Sequence, residues 1–205
     1  MGLPYSKLPP EAWRHMGINA GVLLSDFDVA SGAVKGEDII GATDGPIAFS
    51  ARPGLVDLGA GLENCPRGVR ELLHVRDWEV RLQGAFISAD TGAARRLIAL
   101  ADASDGHIVP RGRTDASADF SDIWYVFDYG ADHGEDRPGL CAIRMKNALN
   151  TGGFRVQARA KDRVRWPFAF TAHVAVADRD DAGFEVYLRT AEMPQEGSES
   201  NEEDD

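Results

Sequence analysis

Cysteine is scarce in this chain: Cys65 and Cys141 are the only two among 205 residues. Two isolated thiols exclude a disulfide-rich scaffold, and they leave no second pair for a four-ligand zinc site. None of the five histidines stands in an H-x-x-x-H or H-E-x-x-H spacing. The sequence therefore predicts reduced thiols, no metal and no cofactor.

Long apolar runs and an excess of basic residues are also missing. No stretch approaches the roughly 18 apolar residues of a membrane-spanning helix, and the first residues lack the apolar core of a signal peptide. Lys and Arg number 22 against 33 Asp and Glu, which gives a formal net charge of −11. Binding to duplex DNA requires Lys and Arg to displace counterions, so the composition argues against a nucleic-acid binder. We expect a soluble protein made in the cytoplasm, with no membrane partner.

The acidic excess is concentrated at the C-terminus. Seven acidic residues and no basic residue follow Arg189, so the rest of the chain carries −4. The segment 190–205 is poor in apolar residues, a composition typical of disorder. We predict a disordered acidic tail over 190–205, a folded β-domain over 18–189 and an N-terminal arm over 1–17.

Alternation of apolar and polar side chains dominates the body of the chain. In the run 76–87 the apolar face of a half-buried strand is formed by Trp78, Val80, Leu82 and Phe86. Further runs rich in strand formers are 122–129, 140–149, 164–176 and 184–189. In the last of these, Phe184, Val186 and Leu188 are predicted to face the core.

One segment breaks the two-residue period. Helical spacing connects Ala94, Leu97, Ile98 and Ala101, with Asp90 or Thr91 as the N-cap. The sequence therefore predicts a mainly β fold, an antiparallel β-sandwich or barrel with one flanking α-helix.

One loop gathers acidic and imidazole side chains as a metal or acid–base site would. Its candidate residues are Asp128, Asp132, His133, Glu135 and Asp136. Interleaved glycines and a proline favour a solvated hairpin loop over a metal site. No nucleophile elbow or phosphate-binding loop accompanies it, so these motifs give enzyme chemistry no support, although a catalytic site can be assembled from distant residues. A small ligand-binding or metal-dependent β-barrel enzyme is the competing class.

The stretch RMKNALNTGGFRVQ, residues 144–157, could cradle a phosphate or turn one strand into the next. A phosphate-binding glycine loop opens a helix, whereas the residues after Gly153 alternate as a strand does. We predict a β-hairpin with its turn at Asn150, Thr151, Gly152 and Gly153, in which the asparagine and glycines supply positive φ.

Six stretches spaced along the body carry a family resemblance. They are INAGVLLSDFD, IIGATDGPIAFSARPGLVDLG, ENCPRGVRELLHVRDWEVRLQGAF, ADFSDIWYVFDY, IRMKNALNTGGFRVQ and FEVYL, and they extend from Ile18 to Leu188. In this order they resemble the major tail tube proteins of long-tailed, siphovirus-type phages. The N-terminal leader and the acidic tail depart from that family's pattern.

The resemblance implies a structural subunit of the virion tail rather than an enzyme, assembled in the cytoplasm of the bacterial host. Such proteins form six-membered rings that stack into the tube through which double-stranded DNA leaves the capsid without specific binding. The implied partners are further copies of the chain and the tape-measure, tail-tip and tail-terminator proteins. Related subunits build tailocin and type VI-like secretion tubes, which remain the alternative.

The segment from Ala51 to His74 is predicted to be a long loop between two strands. It exceeds the roughly 12 to 15 residues beyond which structureless connections are uncommon. The resemblance implies that it reaches from one ring to the next; the candidate stacking residues are Leu55, Val56, Asp57, Leu58, Leu62, Glu63, Asn64 and Val69. The alternative is an Ω-like loop folded over its own domain.

Overall fold

A computed structural model describes residues 15–130 and 139–190, together with Ala12. Two of the predicted regions therefore lie almost entirely outside the described residues: the N-terminal arm 1–17 and the acidic tail 190–205. The same is true of most of the acidic loop, namely Asp132, His133, Glu135 and Asp136. The structure leaves those three predictions untested.

The described chain is mainly β, with antiparallel strands and one α-helix. The strands are β1 (Gly17–Leu24), β2 (Ala48–Asp57), β3 (Leu73–Phe86), β4 (Ala101–Ser104), β5 (His107–Pro110), β6 (Ser121–Tyr129), β7 (Leu140–Asn150), β8 (Trp166–Thr171) and β9 (Phe184–Arg189). Helix α1 spans Thr91–Ile98, and the Asp90 carboxylate caps it by accepting the Ala93 N–H at 2.7 Å. The predicted fold class is confirmed.

Strand β7 belongs to two layers. Its residues 140–145 pair with β6 on one side and β9 on the other, whereas Leu149 and Asn150 pair with β8. One layer, which we call the A sheet, has the order β1-β6-β7-β9. The other, the B sheet, contains the end of β7 followed by β8, β3 and β2. Strands β4 and β5 form a separate hairpin.

The main core lies between the two sheets and against helix α1. Its most deeply buried members are Leu23, Val80, Leu82, Phe86, Leu97, Ile123, Met145 and Phe170. Burial of Val80, Leu82 and Phe86 confirms the apolar face predicted for β3. The indole of Trp78 lies on that face but is 38% exposed, because β3 continues beyond the core.

Strand β9 departs from the prediction. Phe184 contacts Phe49 and Trp78 with ring centroids 5.8 and 5.5 Å apart, but Val186 is 49% and Leu188 61% exposed. Alternation places these three side chains of β9 on one face. The aromatic contacts that cover Phe184 do not extend along the strand, so the prediction that all three face the core was wrong for Val186 and Leu188.

The predicted hairpin at 144–157 is also wrong. Strand β7 does end at Asn150, and Gly153 has a φ of +74°, but neither Asn150 nor Gly152 adopts positive φ. The residues after Gly153 form no strand, and β8 begins only at Trp166; one isolated bridge joins Gln157 to Arg165.

The side chain of Asn150 explains why the chain does not fold straight back. Its Oδ1 accepts the Ala169 N–H at 2.9 Å, and its Nδ2 donates to the Leu97 carbonyl at 2.5 Å. The asparagine is 4% exposed. It therefore fastens the end of β7 to β8 and to helix α1 instead of serving as a turn residue.

Candidate assembly surface

Strands β2 and β3 continue beyond the core as a two-stranded projection. The predicted loop Ala51–His74 is wrong in its bounds, since β2 continues to Asp57, β3 begins at Leu73 and the connection is 58–72. All side chains of β3 from Leu73 to Glu79 are exposed. We call residues 54–77 the hairpin arm.

Two residues of β2 explain the wrong loop boundary. Pro53 has no backbone N–H to donate, but β2 is an edge strand, where a missing N–H is tolerated. Gly54 lies at the irregularity in register between β2 and β3, a position that suits glycine. Strand pairing therefore continues past both residues.

Apolar side chains of the arm are exposed to solvent. Leu55 opposes Val75 and Asp57 opposes Leu73, so Leu55, Leu73 and Val75 lie on one face, with exposures of 53%, 43% and 53%. Exposed apolar side chains continue into the turn at Leu58 and Leu62. Contiguous apolar surface of this kind is typical of an interaction site.

The turn of the arm is ordered by the carboxylate of Asp57. Its two oxygens accept the Gly59 N–H at 2.9 Å and the Gly68 N–H at 3.1 Å, which ties both ends of the turn together. Gly61 and Asn64 have positive φ, which these residue types tolerate well. The candidate stacking residues thus belong to a preformed structure.

The remaining candidate stacking residues differ in exposure. Glu63 and Asn64 are exposed at the tip, whereas Val56 and Val69 are half-buried. Val56 opposes His74 on the other face of the arm from Leu55. Leu55, Leu73 and Val75 therefore form one apolar row on the arm, and Val56 lies on the opposite face, apart from that row.

The two open edges of the A sheet, β1 and β9, differ in regularity. Pairing of β1 with β6 is interrupted between Ile18 and Val22, where Asn19 and Gly21 have positive φ. In contrast, β9 contains no proline or glycine and keeps continuous register with β7 over residues 184–189. Among the described residues β9 pairs with β7 alone. A regular open edge is available for pairing with another chain.

A cluster of charged side chains fastens β9 and the turn before it to β7. The Lys146 ammonium contacts Asp181 at 2.6 Å and Glu185 at 2.7 Å, and Arg144 contacts Asp122 at 2.7 Å. Hydrogen bonds from Lys146 lower the pKa of Glu185 and of Asp181, and the same bonds raise the pKa of Lys146. The paired charges stabilise this edge. Sequence analysis missed the cluster because its members are distant along the chain.

In the part of the chain that the structure describes, two surface depressions could hold a small ligand. A depression of about 460 Å³ is lined in part by Arg81, Gln83, Thr151 and Arg155, and another of about 620 Å³ lies beside β1. Within 15–130 and 139–190, no three His, Cys, Asp or Glu side chains are grouped to hold a metal ion. No helix in these ranges is long and apolar enough to span a membrane.

Comparison with known proteins assigns no family: no family model matches the chain, and no curated protein sequence matches it significantly. The function is therefore inferred from the surfaces described above and from the six stretches that carry the family resemblance. Those stretches include β1, β2, the arm, β3, β6, the end of β7 and β9. Strand β8 of the B sheet and helix α1 lie outside them.

Proposed function

We propose that the protein is the major subunit of a phage tail tube, which forms six-membered rings and stacks them into a conduit for DNA. The observation that carries this proposal is the hairpin arm. It extends two strands of the B sheet beyond the core and exposes a row of apolar side chains. Burial of that row against a neighbouring ring would remove apolar surface from water, at about 25 cal/mol per Å².

The internal order of the arm supports a stacking role. Because Asp57 holds both ends of the turn, the arm loses less conformational freedom on binding than a slack loop of equal length would. A preformed arm can therefore use more of its apolar contact for affinity. This is the behaviour required of a contact repeated between successive rings.

The open edge of β9 supports lateral association. A head-to-tail contact between different surfaces of identical subunits closes into a ring when the rotation permits. Strand β9 supplies a regular edge flanked by exposed Val186 and Leu188. Pairing of this edge with a neighbouring subunit would cover both the backbone groups and the apolar side chains.

The stacking role is tested with a double variant, Leu55→Ser with Val75→Ser. The matched control is Val109→Ser with Val174→Ser, which removes side chains of similar exposure, 48% and 50%, away from the arm. We expect the unmodified protein and the control to form stacked rings in electron micrographs, whereas the arm variant stays folded by circular dichroism but forms single rings or free subunits. Normal tubes from the arm variant would exclude stacking through this row.

A second variant tests whether the preformed turn matters. Replacement of Leu58–Arg67 by a short Gly-Ser linker removes the turn but leaves the paired strands, including Asp57, in place. We expect a folded subunit that no longer stacks. If the unmodified protein remains a monomer at every concentration, in size-exclusion chromatography and in electron micrographs, the proposal as a whole fails.

A further inference from the structure

The connection between β7 and β8 contains a loop of unusual charge, residues 154–165, which we call the basic loop. Residues 153–164 are all exposed. The loop contains four arginines, one lysine and one aspartate, although the chain up to Arg189 carries a net charge of −4. Its basic members are Arg155, Arg159, Lys161, Arg163 and Arg165. The loop is therefore a concentration of positive charge in a chain of acidic composition.

Most of the cations in the basic loop have no partner among the described residues. Arg165 is the exception, since it contacts Asp44 at 2.7 Å and Asp162 at 3.6 Å. The other four side chains form no ion pair with any carboxylate in the described part of the chain. Arginine can bind a carboxylate through two parallel hydrogen bonds. Four such cations within nine residues can therefore bind the carboxylates of an acidic segment.

Backbone hydrogen bonds give the basic loop a defined shape. Gln157 and Arg165 exchange two of them, each 2.8 Å long, and the Asp162 N–H donates to the Arg159 carbonyl at 3.2 Å. Lys161 lies at the turn with a φ of +63°. Because this framework exists before any partner binds, less conformational freedom is lost when the cations are engaged.

A segment of complementary charge is present in the same chain. The segment 190–205 contains seven acidic residues, four of them consecutive at 202–205, and no basic residue. Duplex DNA, with one negative charge about every 1.7 Å, would extend past the loop onto a body whose remaining net charge is negative. A short acidic segment avoids that repulsion. It is also supplied by every copy of the protein.

The basic loop and the start of the acidic segment lie at opposite ends of one strand. Arg189 at the end of β9 pairs with Leu140 at the start of β7, whereas the loop follows the end of β7 at Asn150. Residues 140–150 span about 30 Å along the strand. Glu192 lies three residues beyond Arg189 and reaches only about 11 Å from it, so it cannot contact the loop of its own copy. In a head-to-tail contact between two copies, all seven carboxylates can face the loop.

We propose that the basic loop is a binding site for an acidic peptide segment, and that its occupant is the segment 190–205 of a second copy of this chain. Carboxylates of one copy pair with the four loop cations that have no described partner in the next copy. The contact is directional, and it is separate from the hairpin arm and from β9. It does not depend on whether the copies build a tube. Because the loop is exposed, added salt screens the contact and weakens it.

Cross-linking of the unmodified protein tests which copy supplies the acidic segment. A carbodiimide joins a carboxylate to a lysine amine only where the two are in contact. Isotopically light and heavy protein are mixed in equal amounts as free subunits, cross-linked at low salt and analysed by mass spectrometry. We expect the segment 190–205 to link to Lys161 about tenfold more often than to exposed Lys35, because opposite charge raises its local concentration at the loop. Light–heavy links should be as frequent as links within one isotope.

Two results of the cross-linking would overturn the inference. Links confined to one isotope would assign the loop to the acidic segment of its own copy. Equal linking of Lys161 and Lys35 would show that the loop is not a site.

Fluorescence anisotropy of a labelled peptide with the sequence of residues 190–205 measures the site directly. The peptide is added to the full chain in which all seven acidic residues after Arg189 are replaced by their amides, so that no attached segment competes for the loop. The loop variant adds Arg155→Gln, Arg159→Gln and Arg163→Gln, and its matched control adds Arg52→Gln, Arg113→Gln and Arg179→Gln at exposed positions elsewhere. Circular dichroism checks that both variants fold.

We expect saturable binding that weakens about tenfold in the loop variant, as for the loss of three exposed ion pairs, and that stays unchanged in the control. Equal affinity of the loop variant and the control would overturn the inference. A short DNA duplex that binds the loop more tightly than the peptide does would make the loop a nucleic-acid site and overturn it as well. Neither measurement requires tubes, so the proposed function and this inference can fail independently.

Discussion

The A and B sheets are built from similar strands but differ in which strand faces are buried. β6 of the A sheet is buried on both faces, with four successive buried residues from Ile123 to Val126. β3 of the B sheet alternates buried Val80 and Leu82 with exposed Arg81 and Gln83. The doubly covered sheet contributes two apolar clusters to stability. The B sheet leaves much of its outer face, and the arm that extends from it, free for contact outside the subunit.

The largest expected effect comes from the covered outer face of the A sheet. Trp124 is 7% exposed, and Trp124→Ala should lower the free energy of unfolding by about 3–5 kcal/mol, as for other large core truncations. Gln83→Ala on the exposed face of β3 in the B sheet should change it by no more than about 0.5 kcal/mol. Urea denaturation monitored by circular dichroism measures both. Equal losses would abolish the distinction between the two outer faces.

A smaller loss is expected where β7 passes from one sheet to the other. Asn150→Ala leaves the Ala169 N–H and the Leu97 carbonyl without their side-chain partner. Each unsatisfied buried group costs about 1–3 kcal/mol, so the two groups together should give a destabilisation of about 2 kcal/mol at the lower limit for each. Thr151→Ala, at the exposed neighbouring position, is the control. If the two variants unfold at the same denaturant concentration, Asn150 does not fasten the layers.

Helix α1 packs into the main core through Ala93 and Leu97. At its N-terminus, the effects of Asp90→Ala and Thr91→Ala on stability can be compared. Asp90→Ala removes the acceptor for the Ala93 N–H and should cost about 1 kcal/mol. Thr91→Ala leaves that bond intact and should cost less. The two substitutions separate the cap alternatives that sequence analysis left open, and a greater loss for Thr91→Ala would contradict the capping seen here.

The smallest effect concerns the charged cluster beside β9 and depends on pH. The folded state holds the pKa of Glu185 and Asp181 below their usual 4.5 and 3.8. The stability they contribute is therefore present above these usual values and is lost as pH falls through the lowered ones. Lys146→Met should remove part of it, about 0.2–1 kcal/mol at neutral pH because the groups are partly solvated.

Thermal unfolding at pH 7 and in acid checks this prediction. The difference in unfolding free energy between the unmodified protein and Lys146→Met should shrink as the pH falls below 4. A difference that stays constant over this range would show that the cluster does not act through the two carboxylates. Arg76→Met, which removes an exposed pair with Asp77 on the arm, is the control with little expected effect.

Several features of the fold were predictable because they depend on neighbours in sequence. Alternation identified β3 and its buried face, and helical spacing after Asp90 identified α1. The arm boundary was missed because Pro53 and Gly54 oppose strand structure locally, while pairing with β3 tolerates both at an edge. Val186 and Leu188 were misassigned because alternation gives a shared face and does not reveal how far the facing layer extends.

The sequence by itself determined the β-rich class, the strand faces within the core and the position of the helix, since these follow from side-chain period and local capping. Only the tertiary structure decided that β7 joins two sheets and that the buried Asn150 side chain hydrogen-bonds the end of β7 to β8 and to helix α1. It also decided that one sheet is covered on both faces while the other is not. Those features depend on hydrogen bonds and packing between residues far apart in the chain, such as Asn150 with Leu97 and Phe27 with Trp124. Local periodicity does not identify such partners, because the same alternating strand is compatible with an open face, a covered face or an edge.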